Sequence, residues 1–373
     1  MTESKPTLLH QLFGDSPRIL ILRGARLGDY LSTTPALRAL RRALPRATIG
    51  LITAPDLAPF ARRYSWFDEV FVAPAWPGVS DGPEGADIAD QFFAMMRAWR
   101  ADVAFQLNGG GENSNPFVLR LGARLTVGVR HPSAPDLDLT IPYSRTQPVR
   151  VRFLDLLALL GIPPVSLDLE LPARPEDDVE LAAALPAGLG LAELDRTPLL
   201  GIHAGARSGA RQWPIERFAE VGHRLADEFR FRPLLLGSEA ELGRGVAVAL
   251  RTRAAPIDLT GRTSLGALVA AMRRLDLFLG NDSGPSHVAE AVGTPSVTIY
   301  GASHPINWAP TSQAWHRAVA DWTAPCRWFR PCGCPDDSTA PCLQAVTVDQ
   351  VLSEARSLIA AVRRGRCLRR LGA

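Results

Sequence analysis

Residues 18–53 read RILILRGARLGDYLSTTPALRALRRALPRATIGLIT, and this stretch decides the fold. RILILR (18–23) is a short apolar run of β type. Gly24 and Gly28 punctuate it, and a helical pattern follows from about Tyr30 to Ala43, carried by Leu31, Leu37, Leu40 and Leu44. ATIGLIT (47–53) is a second run of β type. A strand, a helix and a strand in succession make a parallel pair with a helical crossover the expected arrangement.

The alternation continues along the chain. A helix around 56–64, a strand EVFVA (69–73), a helix near 87–99 and a strand DVAFQL (102–107) follow. The loop 74–86, rich in Pro, Gly and Asp, is long enough to be either a substrate-side lid or plain surface. The pattern weakens between 163 and 197, where Pro163, Pro164, Pro172, Pro175, Pro186 and Pro198 mark a linker with a small helix. A second alternating block starts at PLLGIHAG (198–205). It continues through a helix 215–229, RPLLLG (232–237), a helix 239–250, a strand near 256–259, a helix 264–273, DLFLG (276–280), a helix from about 284 and SVTIY (296–300). The expected organisation is a tail (1–17), a Rossmann-like domain (18–165), a linker (166–197) and a second Rossmann-like domain (198–345). A last segment (346–373) holds an amphipathic helix, expected to pack back toward the first domain, and a basic tail. The fold class is α/β with two Rossmann-like domains facing across a central cleft, and ligands are expected beyond the carboxyl ends of the strands.

Composition agrees and excludes several classes. The 373 residues suffice for two to three domains of about 150 residues. Hydrophobic residues make up 46% and charged residues 21%, which is globular rather than disordered composition. The balance of 41 basic and 38 acidic residues, 41 − 38 = +3, permits an anionic substrate without demanding nucleic acid. Lys5 is the single lysine, so any cationic site is built from the planar guanidinium forks of arginine. No run of about 18 apolar residues is present, which argues against a transmembrane helix. The start has no basic segment leading into an apolar one, so a cytoplasmic, bacterial-type enzyme is expected. HExxH and GxxxxGK[ST] are missing, which lowers metalloprotease and P-loop readings.

Three strand–loop–helix junctions carry candidate chemistry. In the first, Gly24 and Gly28 allow close backbone approach, and Asp29 at the strand's carboxyl end is either a helix cap or a general base. The second, HAGARSGARQWP (203–214), sets Arg207 and Arg211 on a small-residue loop suited to clamping a diphosphate, or to an ordinary solvated surface. Trp213 is expected to pack beneath it. The third, GNDSGPSHVAEAVGTPSVTIYG (280–301), brings Asp282, Ser283 and Gly284 to a strand end. Pro285 sits in the first turn of the helix, whose free N–H groups point at a bound anion. His287, one turn in, is expected to be structural rather than a ligand contact. A cysteine cluster, Cys326, Cys332, Cys334 and Cys342, lacks zinc-ribbon spacing; free thiols are the leading reading, with a metal or disulfides as alternatives. The tail RRGRCLRR (363–370) is either solvated or drawn to anionic lipid. A peripheral contact with the inner membrane also rests on Phe92, Phe93, Met96 and Trp99, which otherwise belong to a core.

The ordered set of these pieces resembles glycosyltransferase family 9, the ADP-heptose:lipopolysaccharide heptosyltransferase family, over roughly 18–362. The pieces are ILR-x3-LGD-x3-TTPALRALR, QLNGGGENSNPF (106–117), GARSGARQWP, LTGRTSL (259–265) and GNDSGPSHVAEAVGTPSV. The resemblance implies a GT-B fold, with the acceptor on the N-terminal domain and the nucleotide sugar on the C-terminal one. It also implies inverting, metal-independent transfer with no cofactor, of a heptose or similar sugar from a nucleotide diphosphate sugar such as ADP-heptose to a glycan such as the lipopolysaccharide inner core. By the same resemblance Asp29 falls on the catalytic base. His203, Gly205, Arg207 and Arg211 fall on the phosphate loop, and Asp282, Ser283, Gly284 and His287 on the donor sugar and diphosphate segment. Glu239, Thr260, Gly261 and Thr263 fall on nucleoside contacts; Arg26, Gly28, Asn108, Asn113 and Asn115 lie on the acceptor side. Arg211 stands where the family usually has Lys, and His304 where it often has Asp; these departures bear on donor identity. A sugar-nucleotide epimerase or hydrolase of the same fold, and a non-catalytic nucleotide-sugar-binding protein, are the competing functions. The first would need no acceptor groove and the second no base.

Overall fold

The computed structural model describes residues 6–24, 26–245, 255–303, 305–324, 334, 335 and 337–371, the side chains of 365–371 excepted. The chain divides into two compact units, Met1–Glu170 and Leu171–Ala373. Each is built on a six-stranded sheet in which every neighbouring pair is parallel.

In the first unit the strands are β1 (Arg18–Leu22), β2 (Thr48–Thr53), β3 (Glu69–Val72), β4 (Val103–Gln106), β5 (Leu125–Arg130) and β6 (Leu139–Pro142), in the order β3-β2-β1-β4-β5-β6. The central strands read as unbroken apolar runs because helices cover both faces of a parallel sheet. Ile19, Leu20, Ile21 and Leu22 of β1 have no exposed surface. β5 and β6 extend the sheet beyond what the sequence pattern indicates. Gly128 interrupts the apolar run of β5, and a Cβ there would press on Gln106 and Leu137; β6 is only half buried. The helix expected over 30–43 is two helices, Leu27–Leu31 and Thr34–Ala43. Ser32, Thr33 and Thr34 turn their hydroxyls back onto the carbonyls of Gly28, Asp29 and Leu31, and Pro35 supplies no N–H. Such competition interrupts a helix.

The second unit repeats the plan. Its strands are β7 (Leu199–His203), β8 (Arg232–Leu235), β9 (Ile257–Asp258), β10 (Leu277–Asn281), β11 (Ser296–Tyr300) and β12 (His316–Ala320), in the order β12-β11-β10-β7-β8-β9. Each sheet reverses direction of growth once, between β1 and β4 and between β7 and β10. Such a switch point is where an open α/β sheet forms a ligand crevice.

Part of the expected linker belongs to this unit: the helix Pro175–Ala184 packs on the helix Leu265–Arg274, and Arg274 binds Asp178 at 2.8 Å and Asp195 at 2.9 Å. The last helix, Val348–Leu371, belongs to the second unit. Val351, Leu352, Ala355 and Leu358 are fully buried in the second unit's own core, against β11, β12 and the helix Ile215–Phe229. Their apolar spacing turns one stripe of the helix to that sheet. Phe92, Phe93 and Met96 likewise sit in the first unit's core, so they offer no membrane face. Trp99 carries Arg18 over its ring at 4.0 Å. Among the described residues no helix is long and apolar enough to cross a membrane.

Candidate functional site

In the first unit the switch point is organised by Arg23, the residue that follows β1. It is 2% exposed. Its Nε donates to the Asp29 carbonyl at 3.0 Å, as does Nη2, and Nη1 donates to the Leu107 carbonyl at 2.6 Å. One planar fork thus ties the end of β1, the segment after β4 and the short helix that carries Asp29. Burial lowers its pKa to about 10, with Asp29 opposing the shift, so the guanidinium stays charged near neutrality. The Asp29 carboxylate lies 3.6 Å from Arg23 and keeps 26% of its side chain exposed. Arg26, not Asp29, is the residue capping this helix, and its side chain makes no capping bond.

Asp29 faces a cavity of about 510 Å³ whose wall also includes Arg26, Asp56 and the segment Gly78–Asp81. The 74–86 loop therefore supplies a wall of this cavity. It is anchored by Trp76, which packs edge-on against Phe93 and Phe117 and donates to the Asn113 carbonyl. Gly24 lets it approach: a Cβ there would stand 2.0 Å from the Val79 carbonyl oxygen. The expected row of acceptor-side asparagines is not assembled. Asn115 has no exposed surface and donates to the Pro135 carbonyl; Asn108 is 7% exposed and donates to the Gly78 carbonyl, bracing the cavity wall from behind. Asn113 is exposed, and Gly28 is buried in the helix below Asp29. Of the expected acceptor-side residues, only Arg26 lines the cavity.

In the second unit His203 ends β7 and Asn281 ends β10. Asn281 is fully buried; its Oδ1 accepts from the Trp213 N–H at 3.0 Å, and its Nδ2 donates to the carbonyls of Ala204 and Gly205 at 3.0 and 3.2 Å. It holds both ends of the 204–213 loop. Trp213 packs beneath, with no exposed surface, and its ring N–H donates to the Val346 carbonyl. Arg244 donates to the Ala204 carbonyl from the other side, and burial lowers its pKa. Beyond β10, Ser283 precedes the helix Gly284–Ala291; its side chain caps no N–H, its carbonyl accepts from the Ser286 N–H at 3.1 Å and Pro285 has none, which leaves the Gly284 N–H at the helix start to face an anion.

A cavity of about 330 Å³ opens here, lined by His203, Arg207, Glu241, Thr263, Ser283 and Gly284 among others. That volume is at the small end of ligand pockets. Glu241, which the sequence reading passed over, replaces Glu239 on the wall; Glu239 is exposed and off it. Glu241 accepts from the N–H and the hydroxyl of Ser238, both at 2.8 Å, and from His203 Nε2 at 3.3 Å. Burial alone would raise its pKa. Hydrogen bonding and charge from His203, with the two Ser238 bonds, outweigh burial and hold it at about 2. Gly205 makes room: a Cβ there would stand 1.8 Å from a Glu241 oxygen. The S-x-x-E spacing of Ser238 and Glu241 is a capping-box pattern, the signal that marks Glu241 in the sequence.

Asp282 and His287 lie beneath the cavity rather than on its wall. Both are nearly buried, and the ring Nε2 is 3.5 Å from the carboxylate. Burial would push Asp282 up; His287, the Ser303 hydroxyl and the charge of Arg211 prevail and keep it below the usual range. Arg211 thus acts on Asp282. Thr260 is buried with its hydroxyl unpartnered, and Gly261 turns the chain at φ +73°. Among the described residues no cluster of three or more His, Cys, Asp or Glu side chains is spaced to hold a metal. Cys342 is buried in the second unit's core with Cys334 packed against that core. Cys326, Cys332 and His304, and the side chain of Cys367, lie outside the described residues.

The model of glycosyltransferase family 9 (heptosyltransferase) matches residues 92–328. A curated relative, lipopolysaccharide heptosyltransferase 2 of Escherichia coli strain K12, is 27% identical over 298 residues, covering 77% of this chain and 84% of its own. A crystal structure of a family 9 glycosyl transferase from Veillonella parvula superposes with a TM-score of 0.76 at 24% identity, over 92% of this chain and 97% of that one. The structure of E. coli ADP-heptose lipopolysaccharide heptosyltransferase II does so with a TM-score of 0.70 at 20% identity, over 93% and 99%. These likenesses are to GT-B heptosyltransferases, and the α/β fold with two parallel sheets is theirs.

Proposed function

The chain belongs to glycosyltransferase family 9, and from that premise we propose that it is an inverting enzyme moving a heptose from ADP-heptose to a hydroxyl of a lipopolysaccharide inner-core glycan. The observation that carries this reading is the cavity at the β7–β10 switch point, where Arg207 and the uncapped start of the helix Gly284–Ala291 meet. Those are the groups a leaving diphosphate requires. The names of the E. coli relatives support the choice of sugar and acceptor.

The chemistry runs as one displacement. The acceptor hydroxyl gives its proton to the Asp29 carboxylate as its oxygen bonds to the anomeric carbon. The bond from that carbon to the diphosphate oxygen breaks on the opposite face, and its electron pair leaves with the diphosphate. Arg23 holds the backbone of Asp29 and lies 3.6 Å from its carboxylate, which fixes where the base stands. Arg207 and the Gly284 N–H at the start of the helix offset the charge that builds on the leaving group. This charge set makes metal-independent transfer the expectation. The enzyme is proposed to work in the cytoplasm, in peripheral contact with the inner membrane where its acceptor resides.

Calorimetric titration with ADP, GDP and UDP in EDTA, followed by transfer assays with Asp29→Asn, tests the reading. ADP should bind without metal. Asp29→Asn should lose about 10²–10⁴ in kcat while binding ADP as the parent does, since a general base contributes that much. A variant retaining most of the parent kcat would remove Asp29 from the mechanism. Failure of all three nucleotides to bind would remove the transferase reading.

A further inference from the structure

His203, between Glu241 and Ser283, has a place in the donor cavity that the displacement above does not use. We propose that His203 is a positioning residue that takes up a proton from solvent as a nucleotide diphosphate binds, and that this proton turns the Ser283 hydroxyl toward the ligand. The inference rests on the donor reading of this cavity.

The hydrogen-bond directions carry the argument. Glu241 is ionised and accepts two bonds from Ser238, so it has no proton to offer; His203 Nε2, 3.3 Å away, must carry the hydrogen between them. In neutral His203 the other nitrogen, Nδ1, is then an acceptor. Its partner is the Ser283 hydroxyl at 3.3 Å, whose one hydrogen goes to the ring or to the Asn281 carbonyl 3.2 Å away and in neither case to a ligand. In that state Ser283, a wall residue of the cavity, presents lone pairs to whatever binds. Lone pairs suit a sugar hydroxyl and repel a phosphate oxygen. When Nδ1 is protonated the bond reverses. The ring donates to Ser283 Oγ, and the hydroxyl hydrogen is released to a ligand oxygen or to the Asn281 carbonyl 3.2 Å away.

The charges around the ring fix the sign of the coupling. Glu241 on the Nε2 side and a diphosphate on the Nδ1 side both favour the imidazolium. The opposing cations are committed elsewhere or stand at the rim. Arg244 is bonded to the Ala204 carbonyl, Arg211 acts on Asp282, Asp282 is engaged by His287, and Arg207 is exposed at the cavity mouth. Binding of the diphosphate and protonation of His203 therefore assist each other, and the relation is reciprocal.

The test is titration calorimetry with ADP, and with GDP and UDP, at pH 8 in two buffers of different ionisation enthalpy. At that pH a terminal phosphate is fully ionised, so its own protonation adds little. The parent should take up on the order of half a proton or more per nucleotide bound, in excess of any uptake by His203→Gln. Glu241→Gln, which removes the anion behind the ring, should reduce the uptake and weaken binding, and it serves if His203→Gln melts too low to titrate. Binding with no net uptake, or with the same uptake in His203→Gln, overturns the inference and leaves the donor reading intact. Binding of none of the nucleotides overturns that reading and this inference with it.

Discussion

Replacing Asn281 by leucine keeps its size and removes its polar groups at the point where the 204–213 loop is held. Three hydrogen bonds vanish. The Ala204 carbonyl keeps its bond from Arg244 at 3.0 Å, so two backbone groups are orphaned, the Trp213 N–H and the Gly205 carbonyl. Each unsatisfied buried group costs about 1–3 kcal/mol, so Asn281→Leu should lose about 2–6 kcal/mol. That is a large part of the roughly 5–15 kcal/mol by which folded chains are stable. Urea unfolding should show a lower midpoint at unchanged m, and the ADP dissociation constant should rise because the loop loses its tether. Asn281→Asp sharpens the reasoning. It keeps the acceptor for Trp213 but sets a carboxylate against two carbonyls, which raises its folded-state pKa. The penalty should therefore be absent below the ordinary carboxyl value, grow as pH rises above it, and level off beyond the folded value. An Asn281→Leu variant within about 0.5 kcal/mol of the parent, with unchanged ADP affinity, would show that water satisfies these groups and that the tether does not matter.

The Gly24 position should tolerate no side chain. A Cβ 2.0 Å from the Val79 oxygen forces backbone apart, so Gly24→Ala should destabilise by about 1–3 kcal/mol and displace the cavity wall, raising the acceptor KM more than it weakens ADP; a parent-like melting curve and KM would refute this. Glu241 should make the protein acid-sensitive in a defined window. Its pKa falls from 4.5 to about 2 on folding, so its stabilisation is complete above 4.5 and is lost as pH drops toward 2. Between pH 6 and pH 3 the urea midpoint of the parent should fall more steeply than that of Glu241→Gln, and parallel curves would count against the pairing with His203.

Much of the architecture was legible because buried parallel strands advertise themselves. LFLGN and SVTIY are buried on both faces, and LFLGN ends in a junction that carries candidate chemistry. What escaped notice was where burial is partial or interrupted: β5, broken by Gly128, and the edge strands β6 and β12, whose exposed faces dilute the apolar signal. The glycine-containing junctions after β7 and β10 and the position of Asp29 could be read from position alone. Arg23, Asn281 and Glu241 could not, because their roles come from partners 84, 68 and 38 residues away in the chain. Asn115 was misjudged for the same reason in reverse: a polar residue in a loop-like sequence reads as surface, yet its amide is spent on the Pro135 carbonyl in the interior. Cys326 and Cys332 lie outside the described residues, so the cysteine cluster stays as the sequence leaves it.

The two sheets share one strand order, each with its own switch point. In evolutionary terms this makes the enzyme a pair of separately editable modules. On the proposed reading, drift in the 78–81 wall can retune which glycan is accepted without disturbing how the nucleotide is held, and drift around Arg207 and Glu241 can change the carrier without touching the base. A lineage built this way can diversify its surface glycans one half-gene at a time.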